Sequence, residues 1–576
     1  MKTLLTAAVL ATVTAGCAGT AQMTNNMASQ PPQITDHRGD DDLLTAGLGL
    51  KGLQSPVAPA FANPEQPTAV ELRRRAIWAN WRGIADLAPG GGYGEKYGST
   101  AAVAGREYSG VATLPGGVSS HRVVAQIPDG FDGNKRCLLV APSSGSRGVY
   151  GAISVAGAWG LPKGCAVVYT DKGTGTDFVD VDTGEGTDLA GQRAIGHSRV
   201  FIPKVSAQKA PQAHEVAFKH AHSQVNPEAD WGRHVVQAAQ FGLDALSQAF
   251  PGNDQFNWDN TRVIAVGISN GGGAVLRAAE EQGAHFAAIV AGEPQIHVNG
   301  FGGKALYDYG LDAMTFMPCA QLALSDGALP EPPALAAAKP LMGLWCQRLK
   351  MAGRLDGADV PAMAKQAHEI MRASGWSDGA LAAGYASTGF DLWRSVLVAY
   401  ASAYAQAPVG AHPCGYRYQA ESADKQARAA TLAERAAWWS DSSGIPPGNA
   451  VSLKHDNPDI YAQLQCLTEL RKDPVVAESI AATTASMPAH KDTPILILHG
   501  KDDGLVPIQY SSIPYVAMLR EGGHNAVSFI AEDKAQHFDA FLGFPAYRQR
   551  WRPLLPELYR GLDRMWSHIA EGGPMP

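Results

Sequence analysis

The chain predicts an α/β protein whose mostly parallel sheet is covered on both faces, and three observations carry that prediction. Short apolar runs recur between turns and helix-like stretches, at residues 121–127, 137–141, 166–170, 261–266, 286–291, 495–499 and 527–531. Runs of this kind are strands buried on both sides, and strands that alternate with helices pair in parallel. A helical pattern over 231–250 precedes the 261–266 strand as a crossover would. The same strand runs straight into Gly267-Ile268-Ser269-Asn270-Gly271 and then into an Ala-rich helix over 272–281.

A Gly-x-Ser-x-Gly in that setting forces the serine onto a sharp turn and lifts its hydroxyl above the sheet, while the glycines permit close backbone approach. The sheet is therefore read as an α/β-hydrolase sheet, with Ser269 as nucleophile. Gly375-Trp376-Ser377-Asp378-Gly379 has the same spacing, but it follows the polar stretch 365–373 with no strand before it. It reads as a turn.

A length of 576 residues is too much for one ordinary core. The expected division is a signal peptide at 1–16, a flexible tether at 17–40 and an N-terminal extension packed on the catalytic domain at 41–110. The catalytic domain's two parts fall at 111–305 and 489–576, around a mainly helical lid at 306–488. The tether is polar and Pro-bearing, with too few apolar groups to fold. In the lid strand signals disappear, and Trp393, Leu397, Tyr400 and Tyr404 recur at helical spacing. Its tryptophans Trp345, Trp376, Trp393, Trp438 and Trp439 are read as packing the lid's own core.

A hydrophobic fraction of 45% with 18% charged residues is that of a globular protein, and a net charge of −7 without Lys/Arg runs excludes nucleic acid as a partner. Met1-Lys2, the apolar run 4–13 and Ala15-Gly16 form an export signal too short to span a membrane. Cys17 follows Thr14-Ala15-Gly16, which resembles a bacterial lipobox with threonine where leucine is usual. An envelope lipoprotein tethered through Cys17 and a soluble secreted form are both open. Six other cysteines in an exported chain favour disulfides, expected between neighbours: Cys137 with Cys165, Cys319 with Cys346, Cys414 with Cys466.

A serine hydroxyl needs a histidine to take its proton and a carboxylate to hold that imidazole, in the chain order Ser, acid, His on this fold. The strand 495–499 runs into His499-Gly500-Lys501-Asp502-Asp503-Gly504, and Asp503 is the acid, with its neighbour Asp502 the alternative. His537, in the loop after the last strand, is the base. His499 and His524 compete with it, but one precedes the acid and the other precedes the last strand. The oxyanion is expected to meet the backbone N–H of Asn270 and a second N–H from the loop after strand 137–141. Pro142 has none, so Ser144 or Gly145 supplies it. His214, His220 and His222 lack a placed carboxylate or cysteine and are read as structural or substrate-lining, with no metal. Neither a dinucleotide fingerprint nor a phosphate loop is present, and no cofactor is expected.

Longer blocks then carry a resemblance. Asp41-Asp42-Leu43-Leu44-Thr45-Ala46-Gly47-Leu48-Gly49, Ala141-Pro142-Ser143-Ser144-Gly145-Ser146-Arg147-Gly148-Val149-Tyr150-Gly151-Ala152 and Tyr169-Thr170-Asp171-Lys172-Gly173-Thr174-Gly175 are similar to the bacterial D-3-hydroxybutyrate oligomer hydrolases. So are Phe218-Lys219-His220-Ala221-His222-Ser223-Gln224, Asn226-Pro227-Glu228 and Trp231-Gly232. The resemblance implies a secreted serine esterase acting after polyhydroxybutyrate depolymerases, cutting the dimer and short oligomers to monomers, with its serine at Ser269. Such a small-molecule ester carries a free carboxylate, and Arg147, Lys172 and Arg394 are the candidate cations to meet it. The competing readings are a tannase or feruloyl esterase type of carboxylesterase, its aromatic acyl group held by lid tryptophans, and a non-enzymatic binder on the same scaffold. A binder has no need of a nucleophile with its base.

Overall fold

The computed structural model describes residues 31–252, 254–325, 327–441 and 449–576. The expected signal peptide and Cys17 lie outside them. Nine strands form one sheet: β1 (Gln33–His37), β2 (Gly105–Thr113), β3 (Ser120–Pro128), β4 (Cys137–Pro142), β5 (Ala166–Thr170), β6 (Arg262–Ile268), β7 (Ala288–Gly292), β8 (Ile495–Gly500) and β9 (Val527–Glu532). Their spatial order is β1-β2-β3-β5-β4-β6-β7-β8-β9. Pairing is parallel from β5 to β9 and antiparallel among β1, β2, β3 and β5. β4, β5, β7 and β8 are buried at every position, which is why they read as unbroken apolar runs.

Helices cover both faces. On one, α1 (Ala69–Arg82) and the C-terminal helix Leu555–Glu571 pack around Leu139, Val266 and Leu496. α2 (Trp231–Ala249) and α3 (Asn270–Ala278) cover the other, through Val235, Leu246 and Val275 against Val140, Ala265 and Ile289. α1 starts at a capping box, Thr68 with Glu71, and stops at Gly83.

Three expectations are corrected here. The tether expected at 17–40 does not extend that far, because β1 pairs with β2 from Gln33 to His37. Its anchors are polar: His37 Nδ1 lies 2.9 Å from Asp41 Oδ2, and Arg73 binds both Asp41 and Glu107, so a run poor in apolar groups is ordered by backbone pairing and ion contacts. The 41–110 segment is not merely packed on the catalytic domain, since β2 crosses residue 110 and is part of the sheet. The 306–488 segment, finally, is neither strandless nor wholly a lid. Arg417–Ala420 pairs with Val451–Lys454, two strands too short for their period to show. Trp438 and Trp439 pack in the sheet's own core, with Trp438 edge-on to Phe178 at 4.9 Å, rather than among lid helices.

The rest of that segment builds a separate core. Tyr307 and Met317 of α4 (Leu306–Ala320), Trp376 beside α5 (Asp378–Ala383), and Trp393, Leu397 and Tyr404 of α6 (Leu392–Tyr404) are buried together. The disulfides join neighbours: Cys137–Cys165 ties the start of β4 to the start of β5, and Cys319–Cys346 and Cys414–Cys466 brace the helical segment.

Candidate active site

Ser269 sits between β6 and α3 with φ 56° and ψ −126°, a conformation that only a tightly held turn maintains in a residue with a side chain. Gly267 and Gly271 make the turn possible. A Cβ on Gly267 would lie 2.4 Å from the carbonyl carbon of Gly271, and one on Gly271 would lie 2.6 Å from the Pro142 carbonyl oxygen. The serine N–H donates to the Gly292 carbonyl at 3.0 Å, and its own carbonyl accepts from Gly273 and Gln295 at 3.0 and 2.9 Å.

Residues far apart in the chain converge on its hydroxyl. His537 Nε2 is 2.9 Å from Ser269 Oγ, and His537 Nδ1 is 2.6 Å from Asp503 Oδ2. The carboxylate holds the proton on Nδ1, which leaves Nε2 to accept from the serine. Asp503 Oδ1 accepts the N–H groups of Leu505 and Val506 at 2.8 and 2.7 Å. Burial alone would raise this carboxyl, but the imidazoles of His537 and His499 hold it well below the usual carboxylate range. Asp502 turns away. It accepts from Trp551 Nε1 at 3.1 Å beside α5, and burial raises its carboxyl.

His499, a competitor for the base in the sequence, takes a different place. Its Nε2 faces two acceptors, Asp503 Oδ2 at 3.2 Å and the Val506 carbonyl at 2.9 Å, so Nε2 carries the proton. Its Nδ1 lies 2.7 Å from Ser512 Oγ. The imidazole thus fastens the same Asp503 oxygen that His537 meets. A histidine four residues before the acid is the one sequence signal of this, and its role as support was missed.

Asn270 opens α3, so its N–H has no acceptor within the helix. Across from it runs the loop containing Ser144 and Gly145. Ser144 is buried, Gly145 has φ 56°, and a Cβ on Gly145 would lie 4.0 Å from Asn270 Oδ1. Lys172 fixes this loop: its ammonium donates to Gly145 O at 2.6 Å, Thr174 Oγ1 at 3.0 Å and Ser143 Oγ at 3.1 Å. Burial pushes Lys172 down to about 7. With three protein acceptors it is a tether for the loop rather than a free cation. Arg394, in the first turn of α6, is paired with Asp391 at 2.7 Å. Arg147 is buried and donates to the Gly83 carbonyl at 3.0 Å.

The other three histidines of the sequence reading are dispersed. His214 bonds Asp182 at 2.6 Å near the surface, His220 lies 2.7 Å from Ser146 Oγ, and His222 accepts from the Phe218 N–H at 2.9 Å. Among the described residues no group of three metal-ligating side chains comes together.

The helical segment closes over the serine through a buried polar chain. Asn270 Nδ2 donates to Gln295 Oε1 at 2.8 Å and to Tyr400 Oη at 3.1 Å. Gln295 Nε2 donates to Glu228 Oε1 at 2.6 Å, and Glu228 also accepts from Tyr404. Burial raises the Glu228 carboxyl above its ordinary range. Ser269 and His537 are only 6% and 4% exposed beneath this cover.

Strand order, strand sense and the turn after β6 define an α/β-hydrolase. The chain belongs to the 3HB-oligomer hydrolase family, whose model matches residues 13–576. It is 36% identical over 601 residues to the D-(-)-3-hydroxybutyrate oligomer hydrolase of Paraburkholderia xenovorans (strain LB400), covering 93% of this chain and 84% of that protein. To the enzyme of the same name from Cupriavidus metallidurans it is 35% identical over 623 residues, covering 95% and 85%. Among solved structures, Candida antarctica lipase A in its closed state aligns over 82% of this chain and 79% of its own at 13% identity, with a TM-score of 0.36. Tannin acyl hydrolase from Aspergillus niger aligns over 83% and 80% at 11% identity, with a TM-score of 0.37.

Proposed function

We propose that this chain is an exported serine esterase that hydrolyses 3-hydroxybutyrate dimers and short oligomers to 3-hydroxybutyrate through an acyl-enzyme on Ser269. The observation that carries this reading is the unbroken hydrogen-bond path from Ser269 Oγ through His537 to Asp503. Family membership supplies the substrate class, and three disulfides suit an oxidising compartment.

In the proposed sequence His537 Nε2 takes the Ser269 proton as Oγ attacks the ester carbonyl. The tetrahedral oxyanion is met by the Asn270 N–H and by Ser144 or Gly145. Collapse breaks the ester C–O bond, and the imidazolium returns its proton to the departing alkoxide of 3-hydroxybutyrate. Water then repeats the attack on the acyl-serine, with His537 again as base, and frees the second acid. Asp503, held below the usual range, stays ionised throughout and stabilises the imidazolium.

The aromatic-ester reading needs lid tryptophans free to hold a ring at the serine, yet Trp376 and Trp393 are buried in the lid's own core, and half-buried Trp345 lines a cavity that includes neither Ser269 nor His537. The test is mass analysis of products from a defined 3-hydroxybutyrate trimer. Release of monomer and dimer by the wild type and none by Ser269→Ala is expected; methyl ferulate turned over in preference to the trimer overturns the substrate class.

A further inference from the structure

Four arginines are buried among the described residues: Arg73, Arg122, Arg147 and Arg435. Three of them bind carboxylates: Arg73 binds Glu107 and Asp41, Arg122 binds Asp177, and Arg435 binds Asp180 and Glu185. Arg147 binds none. Its Nη2 donates to the Gly83 carbonyl at 3.0 Å, and its Nη1 is buried without an acceptor. Carboxylates raise Arg73 and Arg122 above the ordinary arginine value, whereas burial pushes Arg147 down to about 10. An enclosed guanidinium without a counter-ion is costly, and such a charge is ordinarily paired.

Its location gives the missing partner a source. Arg147 is two residues beyond Gly145, whose added Cβ would lie 4.0 Å from Asn270 Oδ1 at the elbow. The guanidinium rests on Gly83, and the next residue, Ile84, shares a cavity of about 10 Å³ with His537 and Phe538. Arg147 therefore bridges the expected oxyanion loop and the wall behind the base. Gly83 makes room for it. The backbone there is ordinary, at φ −78° and ψ −10°, so nothing in its conformation demands glycine. A Cβ, however, would lie 2.0 Å from Arg147 Nη1 and 2.6 Å from Cζ.

We propose that Arg147 is the receptor for the free carboxylate of the oligomer, and that Gly83 is glycine in order to seat its guanidinium. The proposal rests on the substrate class given above. A planar guanidinium takes a carboxylate through two parallel hydrogen bonds, which the unpartnered Nη1 is able to begin. In the dimer this carboxylate belongs to the half that leaves as the alcohol, so Arg147 determines which end of the ester chain is held. Lys172, already bound to three acceptors, and Arg394, paired with Asp391, do not have this vacancy.

The test compares kcat/KM for the 3-hydroxybutyrate dimer as free acid and as its methyl ester, because the ratio cancels general damage to the enzyme. The wild type is expected to favour the free acid by roughly 30-fold or more. In Arg147→Gln the ratio should fall towards one, Arg147→Lys should lie between, and Gly83→Ala should lower it with the arginine still present. The Tm of Arg147→Met should match or exceed that of the wild type, since an unpaired buried charge is removed. A wild-type ratio near one, a ratio retained in Arg147→Gln, or a drop of more than about 5 °C in Arg147→Met overturns the proposal. Cleavage of p-nitrophenyl butyrate with neither dimer form turned over overturns the substrate class, and the receptor with it.

Discussion

Two pentapeptides with identical spacing meet opposite fates in this molecule. Gly267 to Gly271 follows a buried strand, and Ser269 is bent to φ 56° with its hydroxyl on His537. Gly375 to Gly379 follows a helix that ends at Gly375, and Ser377 lies at φ −82°, its hydroxyl accepting the Ala380 N–H at 3.0 Å to cap α5. Glycine has a different use in each. In the first it lets one backbone touch another; in the second Gly379 leaves room for the Asp502 carboxylate, which a Cβ would meet at 2.0 Å. A motif acquires chemistry from the element that delivers it.

The contrast is open to attack in several ways. Ser269→Ala is expected to lower kcat by on the order of 10⁵- to 10⁶-fold, whereas Ser377→Ala should leave ester turnover within about twofold, both read by single-substrate kinetics. Comparable losses in both variants would break it. The two acids differ next. Asp503→Asn should cost about 10⁴-fold in kcat by reversing the imidazole tautomer, and Asp502→Asn less than about threefold. Ser377→Ala removes a helix cap and should cost about 1 kcal/mol in urea unfolding.

The smallest effect lies in the pH dependence of Tm. The Asp503 carboxyl is lowered, so its stabilisation is present above the unfolded carboxylate range and is lost as pH falls through the folded value. Asp502 is raised, so it costs stability above that range and the cost disappears on acidification. Asp503→Asn should therefore flatten the acid limb below about pH 4, and Asp502→Asn should raise Tm slightly at pH 7 but not at pH 3. Parallel curves for the two variants would contradict the opposite shifts.

What was legible in the sequence follows the same logic. Strands β4 to β8 announce themselves because burial on both faces demands unbroken apolar runs, and half-buried β9 still shows Val527, Phe529 and Ile530. That Ser269, Asp503 and His537 meet was legible because each lies past the end of a strand. β1 and β2 were not, since Gln33–His37 and Gly105–Thr113 are held by polar side chains such as His37, Arg73 and Glu107, whose partners are distant in sequence. Trp438 reads as a lid residue until Phe178, some 260 residues earlier, is seen against it. The duties of His499 and Lys172 are equally hidden, because a hydrogen-bond acceptor supplied by another loop leaves no mark on local pattern.

The order of the cysteines has a consequence for biogenesis. Each bridge joins consecutive thiols, and none links the sheet to the helical cover. On the export proposed above, the chain enters an oxidising space N-terminus first and each of these pairs is complete before the next pair emerges, so simple oxidants suffice and reshuffling enzymes are superfluous. Yield from a host lacking disulfide isomerase should accordingly equal that from its parent.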